Sequence, residues 1–232
     1  MAFAITPPAP PSLAIADSAI RFPIRRIFCV GRNYAAHIRE MGNDERDPPF
    51  FFTKPADAIV DSGETVPYPP QTQDLHHEVE LVVLIGTGGA DIAPEAVMQH
   101  VWGAAVGVDL TRRDLQAEAK KMGRPWDMAK GFDASAPIGP ARPLADIPSL
   151  TKGRIQVAVN GETRQDGDLA EMIWPVTDHV AYLSALVRLE PGDVIMTGTP
   201  AGVSALVPGD TVLGQIDGLP DLSFTVGPAR SG

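Results

Sequence analysis

The chain has 232 residues, a formal net charge of −10 and a single cysteine. This acidic balance argues against a nucleic-acid surface, whose footprint is basic, and no apolar run is long enough to span a membrane. The first 20 residues lack a basic segment and are interrupted by prolines, so they do not predict a secretory signal. One cysteine excludes an intrachain disulfide, which favours a reducing, cytoplasmic compartment.

Frequent glycines and prolines separate many short apolar segments, which predicts a mainly β (α+β) fold with peripheral helices. An N-terminal arm is expected over 1–23 and a single domain over 24–232, because no linker divides the rest of the chain. The predicted strands are 27–30, 50–52, 58–60, 75–86 and 154–159, the last followed by a hairpin turn at Asn160-Gly161. The predicted helices are 34–41, 94–100, 115–122 with Thr111 as candidate N-cap, and 176–187.

The segment LHHEVELVVLIG at 75–86 places two acids in an otherwise apolar strand. Glu78 and Glu80 are two residues apart and therefore share a face, where their charges repel each other and lose hydration. A divalent cation between them would relieve both costs, and Asp109 in GVDLTRRD could be a third ligand. Carboxylate oxygens suit Mg²⁺ or Mn²⁺ better than Zn²⁺. The alternative is that both glutamates pair with Lys or Arg on a solvated sheet face.

His37 and Glu40 are three residues apart on the first predicted helix and therefore share a face. A histidine held by a carboxylate is a stronger base than a free one, so the pair is a candidate general base. The charged segment 42–49 that follows has no apolar periodicity and is expected to be a surface loop, as in an active-site lid. The alternative is an exposed ion pair on a short helix, a common surface feature.

Several basic residues stand in short motifs beside glycines, prolines or aromatic residues. Any one of them could be a solvated surface charge, but as a set they could offset the acids and bind an anionic substrate. Thr199, in a Gly/Pro turn, could donate a hydrogen bond to a carboxylate or simply stabilise its turn. The chain contains no nucleotide-binding glycine motif and no serine-hydrolase elbow. The basic residues are Arg32, Lys54, Arg113 and Lys130.

A set of motifs, taken in order, resembles the fumarylacetoacetate hydrolase family over roughly 24–226. These motifs are GRNYAAH-x-x-E, FFTKP, HHEVEL, GVDLTRRDLQ, PWDMAKGFD, VNGE-x-R-Q-x-G and LEPGDVIMTGTPAGV. The resemblance is strongest to single-domain acylpyruvate hydrolases, among them fumarylpyruvate hydrolases. It implies the family's mixed β-roll with peripheral helices, a catalytic role for the domain at 24–232, and a homodimer.

The resemblance also implies roles for individual residues. Glu78, Glu80 and Asp109 match the ligands of Mg²⁺ or Mn²⁺. His37 and Glu40 match a catalytic dyad on the lid helix. Lys130 matches a residue that holds the oxo-acid end of the substrate, and either Lys130 or Lys54 could neutralise developing oxyanion charge. The residues implied to bind the substrate are Arg32, Lys54, Arg113, Gln116 and Thr199.

The implied activity is metal-dependent hydrolysis of the C–C bond of a β-diketo acid, with fumarylpyruvate as the expected small-molecule substrate. The family also contains oxaloacetate decarboxylases, tautomerases and isomerases of ring-cleavage products, which share the metal site and stay open as alternatives. A non-catalytic module that binds a metal or a small acid is a further alternative, although it would not need a base beside the metal.

Overall fold

The computed structural model describes residues 3–34 and 48–229. The predicted helix at 34–41 lies outside this part of the chain from residue 35 onward. Most of the predicted loop at 42–49 also lies outside it.

The described residues are organised mainly as strands. In chain order these are β1 (Ser12–Ala14), β2 (Arg21–Pro23), β3 (Arg26–Gly31), β4 (Phe50–Lys54), β5 (Ile59–Asp61), β6 (Thr65–Tyr68), β7 (Leu75–His77), β8 (Val79–Ile85), β9 (Val101–Val108), β10 (Thr111–Arg112), β11 (Ala136–Ile138), β12 (Arg142–Pro143), β13 (Arg154–Val159), β14 (Glu162–Asp168), β15 (Asp193–Met196), β16 (Ser204–Leu206), β17 (Thr211–Ile216) and β18 (Leu222–Ala229).

Two larger sheets dominate the architecture. One has the strand order β4-β3-β15-β8-β9-β11-β5 with β12 also paired to β9, and the other has the order β14-β13-β17-β18-β6. Parallel pairs (β3 with β15, β5 with β11, β6 with β18) occur among antiparallel ones, so both sheets are mixed. The mainly β fold with peripheral helices is confirmed, and the sheets curl into the half-barrel typical of a β-roll.

Strand β8 positions the candidate site because it is buried on both faces, as its apolar run predicts. Its odd-numbered residues, such as Leu81 and Val83, join the core shared with the five-stranded sheet, where β13 packs on β8. Its even-numbered residues Val82 and Leu84 belong to a second core on the opposite face. Glu80 is also even-numbered, so its side chain lies on the same face as this second core, near the start of β8.

The second core is covered by the N-terminal segment. Strands β1 and β2 form an antiparallel hairpin within the expected arm, and Leu13 and Phe22 of this hairpin pack into that core. Cys29 lies in the same core with no exposed surface, and burial raises the pKa of its thiol well above the ordinary value. Cys29 is therefore a small core residue.

The helices lie at the periphery. They are α1 (Arg113–Met122), α2 (Asp127–Lys130) and α3 (Val176–Leu186), with 3₁₀ turns at Ala56–Ala58, Pro94–Gln99, Leu144–Asp146 and Leu169–Glu171. The helix predicted at 94–100 is thus a 3₁₀ helix. None of the helices in the described residues is long and apolar enough to cross a membrane.

Two local predictions were wrong. Thr111 does not cap α1, since the N-cap position is Arg112, which makes no side-chain capping bond, and Thr111 instead pairs with His76 in a β-ladder. The segment 75–86 is not one continuous strand, because it divides into β7 and β8 with Glu78 between them. Because of this break, β7 and β8 belong to different sheets.

Candidate metal centre and substrate pocket

Three carboxylates meet where β8 begins and β9 ends. Glu78 precedes β8 and Asp109 follows β9, and the Asp109 N–H donates to the Glu78 carbonyl at 2.8 Å, which extends the pairing of the two strands. One carboxylate oxygen each from Glu78, Glu80 and Asp109 lies within 4.8 Å of the others, and all three residues are buried. The sequence therefore correctly predicts that these acids converge on one point.

Three cations surround two of these carboxylates. The Lys130 ammonium donates to Glu78 Oε2 at 2.8 Å and to Asp109 Oδ2 at 2.6 Å. The Lys54 ammonium lies 2.8 Å from Asp109 Oδ1, and Arg113 Nη2 lies 2.5 Å from Glu78 Oε1. Buried charges are tolerated when they are paired in this way. We refer to the three acids with these three cations as the floor of the pocket.

Burial and charge oppose each other at Lys130. Desolvation alone would lower the pKa of its ammonium, but the carboxylates of Asp109 and Glu78 outweigh it, and the pKa is raised. Lys130 therefore stays charged in the floor.

Glu80 differs from its two neighbours. In residues 3–34 and 48–229 no salt bridge joins it to a cation, and its hydrogen bond comes from the Gly198 N–H at 2.8 Å to Oε2. Burial, followed by the negative charges of Asp109 and Glu78, raises the pKa of its carboxyl well above the ordinary value. Glu80 thus has no cation at salt-bridge distance in the described residues, and a divalent ion bound by oxygen fits this donor set.

The turn that carries Gly198 needs glycine at that position. Gly198 has a φ of +93°, and a Cβ there would lie 2.7 Å from the Cβ of Asn33. Asn33 is fully buried and donates to the Thr197 carbonyl at 2.7 Å and to the Trp174 carbonyl at 3.0 Å, while its own oxygen accepts from the Trp174 N–H at 2.8 Å. The turn is consequently fixed against β3, with its N–H aimed at Glu80.

A pocket opens above the floor. Besides the three acids, four of the residues with predicted roles line it, namely Arg113, Gln116, Lys130 and Thr199. Arg113 Nη1 donates to Gln116 Oε1 at 2.7 Å, so these two side chains hold each other. The other lining residues are Val30, Gly31, Arg32, Phe52, Lys120, Trp126 and Gly198.

Two cations at the pocket have no carboxylate partner among the described residues. The Arg32 guanidinium lies over the Phe50 ring at 5.4 Å, and the Lys120 ammonium lies over the Trp126 ring at 5.1 Å. Burial, then the charges of Arg113 and Arg32, lowers the pKa of Lys120 to about 8. We refer to Arg32 and Lys120 on their aromatic rings as the rim.

The remaining residues with predicted roles are His37, Glu40 and Lys54. His37 and Glu40 lie outside the described residues, so their pairing stays a prediction. The Lys54 ammonium contacts Asp109 and donates to the carbonyls of Leu110, at 3.2 Å, and Lys130. Lys54 is thus brought to the floor, behind Asp109.

Residues 26–227 match the fumarylacetoacetate (FAA) hydrolase C-terminal family. The chain belongs to the fumarylacetoacetate hydrolase family. The resemblance drawn from the motifs is therefore confirmed.

Three relatives resemble the chain along most of its length. The crystal structure of fumarylpyruvate hydrolase from Pseudomonas aeruginosa in complex with Mn²⁺ and pyruvate is 51% identical, with a TM-score of 0.95, and the match covers 98% of this chain and 100% of that one. A fumarylpyruvate hydrolase of a Ralstonia species is 42% identical over 78% of this chain and 94% of its own length. The mitochondrial oxaloacetate tautomerase of Rattus norvegicus is 42% identical over 87% and 91%.

Sequence reasoning missed three residues of the site. Asn33 and Gln165 stand inside motifs that mark the family, but nothing in their immediate pattern shows that they are buried. Lys120 stands outside those motifs, in a helix segment with an adjacent lysine that is typical of a solvated surface. Its signal is the spacing of four from Gln116, which places both side chains on one face of α1.

Proposed function

We propose that the chain hydrolyses fumarylpyruvate to fumarate and pyruvate, with one Mg²⁺ or Mn²⁺ ion held by Glu78, Glu80 and Asp109. The observation that carries this proposal is the buried triad of carboxylates, of which Glu80 lacks a cation, beneath a pocket lined by further cations. Two of the relatives are fumarylpyruvate hydrolases, and one of them is in complex with Mn²⁺ and pyruvate. These relatives support the same substrate and the same ion for this chain.

The charges of the pocket favour a substrate with a carboxylate at each end. The three carboxylates and three cations of the floor balance, so a bound divalent ion leaves the floor positive. The oxo-acid end of the substrate would meet this end of the pocket, with Arg113, Gln116 and Thr199 as donors. The far carboxylate would meet Arg32 and Lys120, which lack an acidic partner in the described residues.

The floor and the predicted base have different roles in the proposed reaction. The divalent ion, when bound, supplies Lewis-acid stabilisation of negative charge at the oxo-acid end. His37, oriented by Glu40, would remove a proton from water as the water oxygen attacks the distal carbonyl carbon. The C–C bond on the pyruvate side of that carbon then breaks, and its electron pair stays with the pyruvate fragment until it is protonated. Lys130 would offset charge on the oxyanion.

Lys54 would act on this reaction through Asp109. Its ammonium lies 2.8 Å from one carboxylate oxygen of Asp109 while the Lys130 ammonium lies 2.6 Å from the other, so each oxygen faces a cation. We include Lys54 among the residues that organise the oxo-acid end of the site.

Tautomerisation of oxaloacetate is the second candidate, because family members named oxaloacetate tautomerase align with most of this chain. That reaction moves a proton on a C4 diacid and needs no attacking water. Decarboxylation of oxaloacetate, isomerisation of ring-cleavage products and a non-catalytic binding role are further alternatives that share the triad.

A turnover panel separates these candidates. Fumarylpyruvate, acetylpyruvate and oxaloacetate would each be assayed without metal, with Mg²⁺ and with Mn²⁺, with products identified by chromatography. We expect the highest kcat/KM with fumarylpyruvate, absolute dependence on the ion, and fumarate and pyruvate in equal amounts. A higher kcat/KM for oxaloacetate, with its enol or with CO₂ and pyruvate as products, would replace hydrolysis with tautomerisation or decarboxylation. Binding without turnover of any compound would favour the non-catalytic role.

We also propose that the protein is a cytoplasmic homodimer. The single buried cysteine and the family membership support this combination. Light scattering coupled to size exclusion gives the mass in solution, and a mass near that of one chain would contradict the dimer.

A further inference from the structure

Gln165 is a buried glutamine in a strand that is otherwise largely exposed. In the ladder of β13 and β14, Ala158 pairs with Thr163 but Val157 pairs with Gln165, so Arg164 is an extra residue in a β-bulge. A bulge re-aims the side chains that follow it. Thr163 therefore remains exposed, whereas Gln165 opposite the core residue Val157 points inward and is 1% exposed.

The orientation of the Gln165 amide is fixed by two backbone groups. Its oxygen accepts from the Val79 N–H at 3.1 Å, and its nitrogen donates to the Pro200 carbonyl at 2.8 Å. A backbone N–H can only donate and a carbonyl can only accept, so the reversed amide would lose both bonds. His77 Nδ1, at 2.9 Å from the same amide oxygen, must then carry a proton and donate.

This orientation determines what the Thr199 hydroxyl can do. The Gln165 amide nitrogen also donates to Thr199 Oγ1 at 2.8 Å, so that oxygen acts as an acceptor and its own proton points elsewhere. Among the hydrogen bonds of residues 3–34 and 48–229, the Thr199 hydroxyl takes part only in this one. Thr199 is buried and lines the pocket.

We propose that Gln165 is a positioning residue that sets the Thr199 hydroxyl as a hydrogen-bond donor toward the carboxylate of the substrate's oxo-acid end. Gln165 does not line the pocket itself and acts through Thr199. This inference rests on the proposed function only for the identity of the ligand that receives the proton. It adds a requirement that the resemblance does not supply, namely an amide, and not a carboxylate, at position 165.

A double-mutant cycle tests the proposal, with pyruvate as the ligand and Mn²⁺ at saturation. Thr199→Val removes the hydroxyl at nearly constant shape, and Gln165→Glu replaces the donating nitrogen with an acceptor, so that Thr199 donates to position 165 instead. Each single change should weaken pyruvate binding by about tenfold, as loss of one hydrogen bond to a charged group does. The double variant should also be about tenfold weaker and not a hundredfold, since both changes remove the same donor.

Matched controls distinguish a changed orientation of the Thr199 hydroxyl from a general disturbance of the fold. Gln156 on the neighbouring strand also donates to a threonine, with its Nε2 at 2.6 Å from Thr163 Oγ1, but that pair is exposed and away from the pocket. Gln156→Glu should leave pyruvate binding unchanged. Thr199→Ser keeps the hydroxyl and should restore binding to nearly that of the unsubstituted protein. Mn²⁺ affinity, measured by titration calorimetry, should not change in Gln165→Glu.

The outcomes distinguish this inference from the proposed function. If Thr199→Val weakens pyruvate binding but Gln165→Glu does not, or if their effects multiply, Gln165 does not orient the hydroxyl and only this inference is overturned. Loss of Mn²⁺ affinity in Gln165→Glu would also overturn it, by showing that Gln165 acts through Val79 and the acids beside it. If Thr199→Val binds pyruvate normally, the contact of Thr199 with the substrate is itself wrong.

If Gln165→Glu does not fold, Gln165→Met provides the same test without a buried charge. In Gln165→Met the Pro200 carbonyl loses its donor, and the Thr199 hydroxyl is expected to turn toward it. Pyruvate binding should again weaken, and again no further in combination with Thr199→Val. Circular dichroism and thermal unfolding would show that each variant compared is folded.

Discussion

The floor and the rim of the pocket handle charge in opposite ways. In the floor, Glu78 and Asp109 are each held by cations at hydrogen-bond distance, so their oxygens have fixed positions. At the rim, Arg32 and Lys120 lie on aromatic rings and have no carboxylate partner within the described residues. The floor is a preorganised site whose charges are compensated, whereas the rim retains positive charge that a ligand can neutralise. If the proposed function is correct, the ion and the far end of the substrate are therefore recognised by separate parts of the pocket.

The largest effect is expected from removing the charge of Glu80, the floor acid without a cation. Glu80→Gln keeps the shape of the side chain and an oxygen for the Gly198 N–H, but it removes a ligand charge. We expect Mn²⁺ affinity to fall at least about a hundredfold, the upper end of what residues that merely support ligands cost, and turnover to fall with it. Titration calorimetry and steady-state kinetics provide the two measurements.

The same change should not lower the thermal stability of the metal-free protein. Burial and two nearby carboxylates already disfavour the charged form of Glu80, so Glu80→Gln relieves repulsion when no ion is bound. Metal-free Glu80→Gln should unfold at the same temperature as the unsubstituted protein or a higher one. Asp166→Asn, which changes an exposed acid paired with Arg154, is the control for metal binding. Normal Mn²⁺ affinity in Glu80→Gln would remove Glu80 from the ligand set.

The next largest effect concerns the predicted base, which belongs to neither the floor nor the rim. His37→Ala should lower kcat for fumarylpyruvate by about 10²–10⁴-fold, the usual contribution of a general base. Mn²⁺ and pyruvate affinity should stay unchanged, because the floor is intact. A variant with normal kcat would show that His37 and Glu40 form only a surface pair.

A smaller and more selective effect is expected at the rim. Lys120→Met should lower kcat/KM for fumarylpyruvate by about tenfold, the cost of one hydrogen bond to a charged group. The same change should leave acetylpyruvate, which has a methyl group at that end, nearly unaffected. Lys121→Met, one residue further along α1 and exposed, should change neither value. Equal losses for both substrates would show that Lys120 does not read the far carboxylate.

The smallest effect is a dependence on pH. The pKa of Lys120 is lowered to about 8, so its ammonium is charged below that pH and loses its charge as the pH rises through it. The kcat/KM for fumarylpyruvate should therefore fall above about pH 8, toward the value of Lys120→Met. Lys120→Arg remains charged at all these pH values, and its profile should lack this fall. Identical profiles for the two proteins would place the ionisation on another group or on the substrate.

The sequence predicts the floor better than the rim, and the reason is physical. Acids in a buried apolar strand have few acceptable environments, so Glu78 and Glu80 already indicate a cation. A lysine on a helix has a low-cost alternative in solvent, and the sequence does not reveal that the Lys120 ammonium lies over the Trp126 ring at the pocket. The family resemblance supplied Arg113, Gln116 and Lys130, which the pattern of residues alone left open.

The predicted strands follow the same rule. Apolar segments such as 27–30 and 154–159 were found because burial on one or both faces leaves a clear pattern. The break between β7 and β8 was missed because the residues at the break, His77 and Glu78, are buried. An exposed polar segment, which usually marks the end of a strand, is absent at this point. The bulge at Arg164 could not be foreseen either, since it depends on the register with β13.

The isolation of Cys29 has a practical consequence. A thiol with no exposed surface and a raised pKa reacts with alkylating reagents only when the second core opens, so its labelling rate measures how often that core unfolds. The remaining surface of the described residues is free of thiols. A cysteine introduced at an exposed position such as Lys121 could thus carry a fluorophore beside the rim, while Cys29 reports in the same sample whether the labelled protein remains folded.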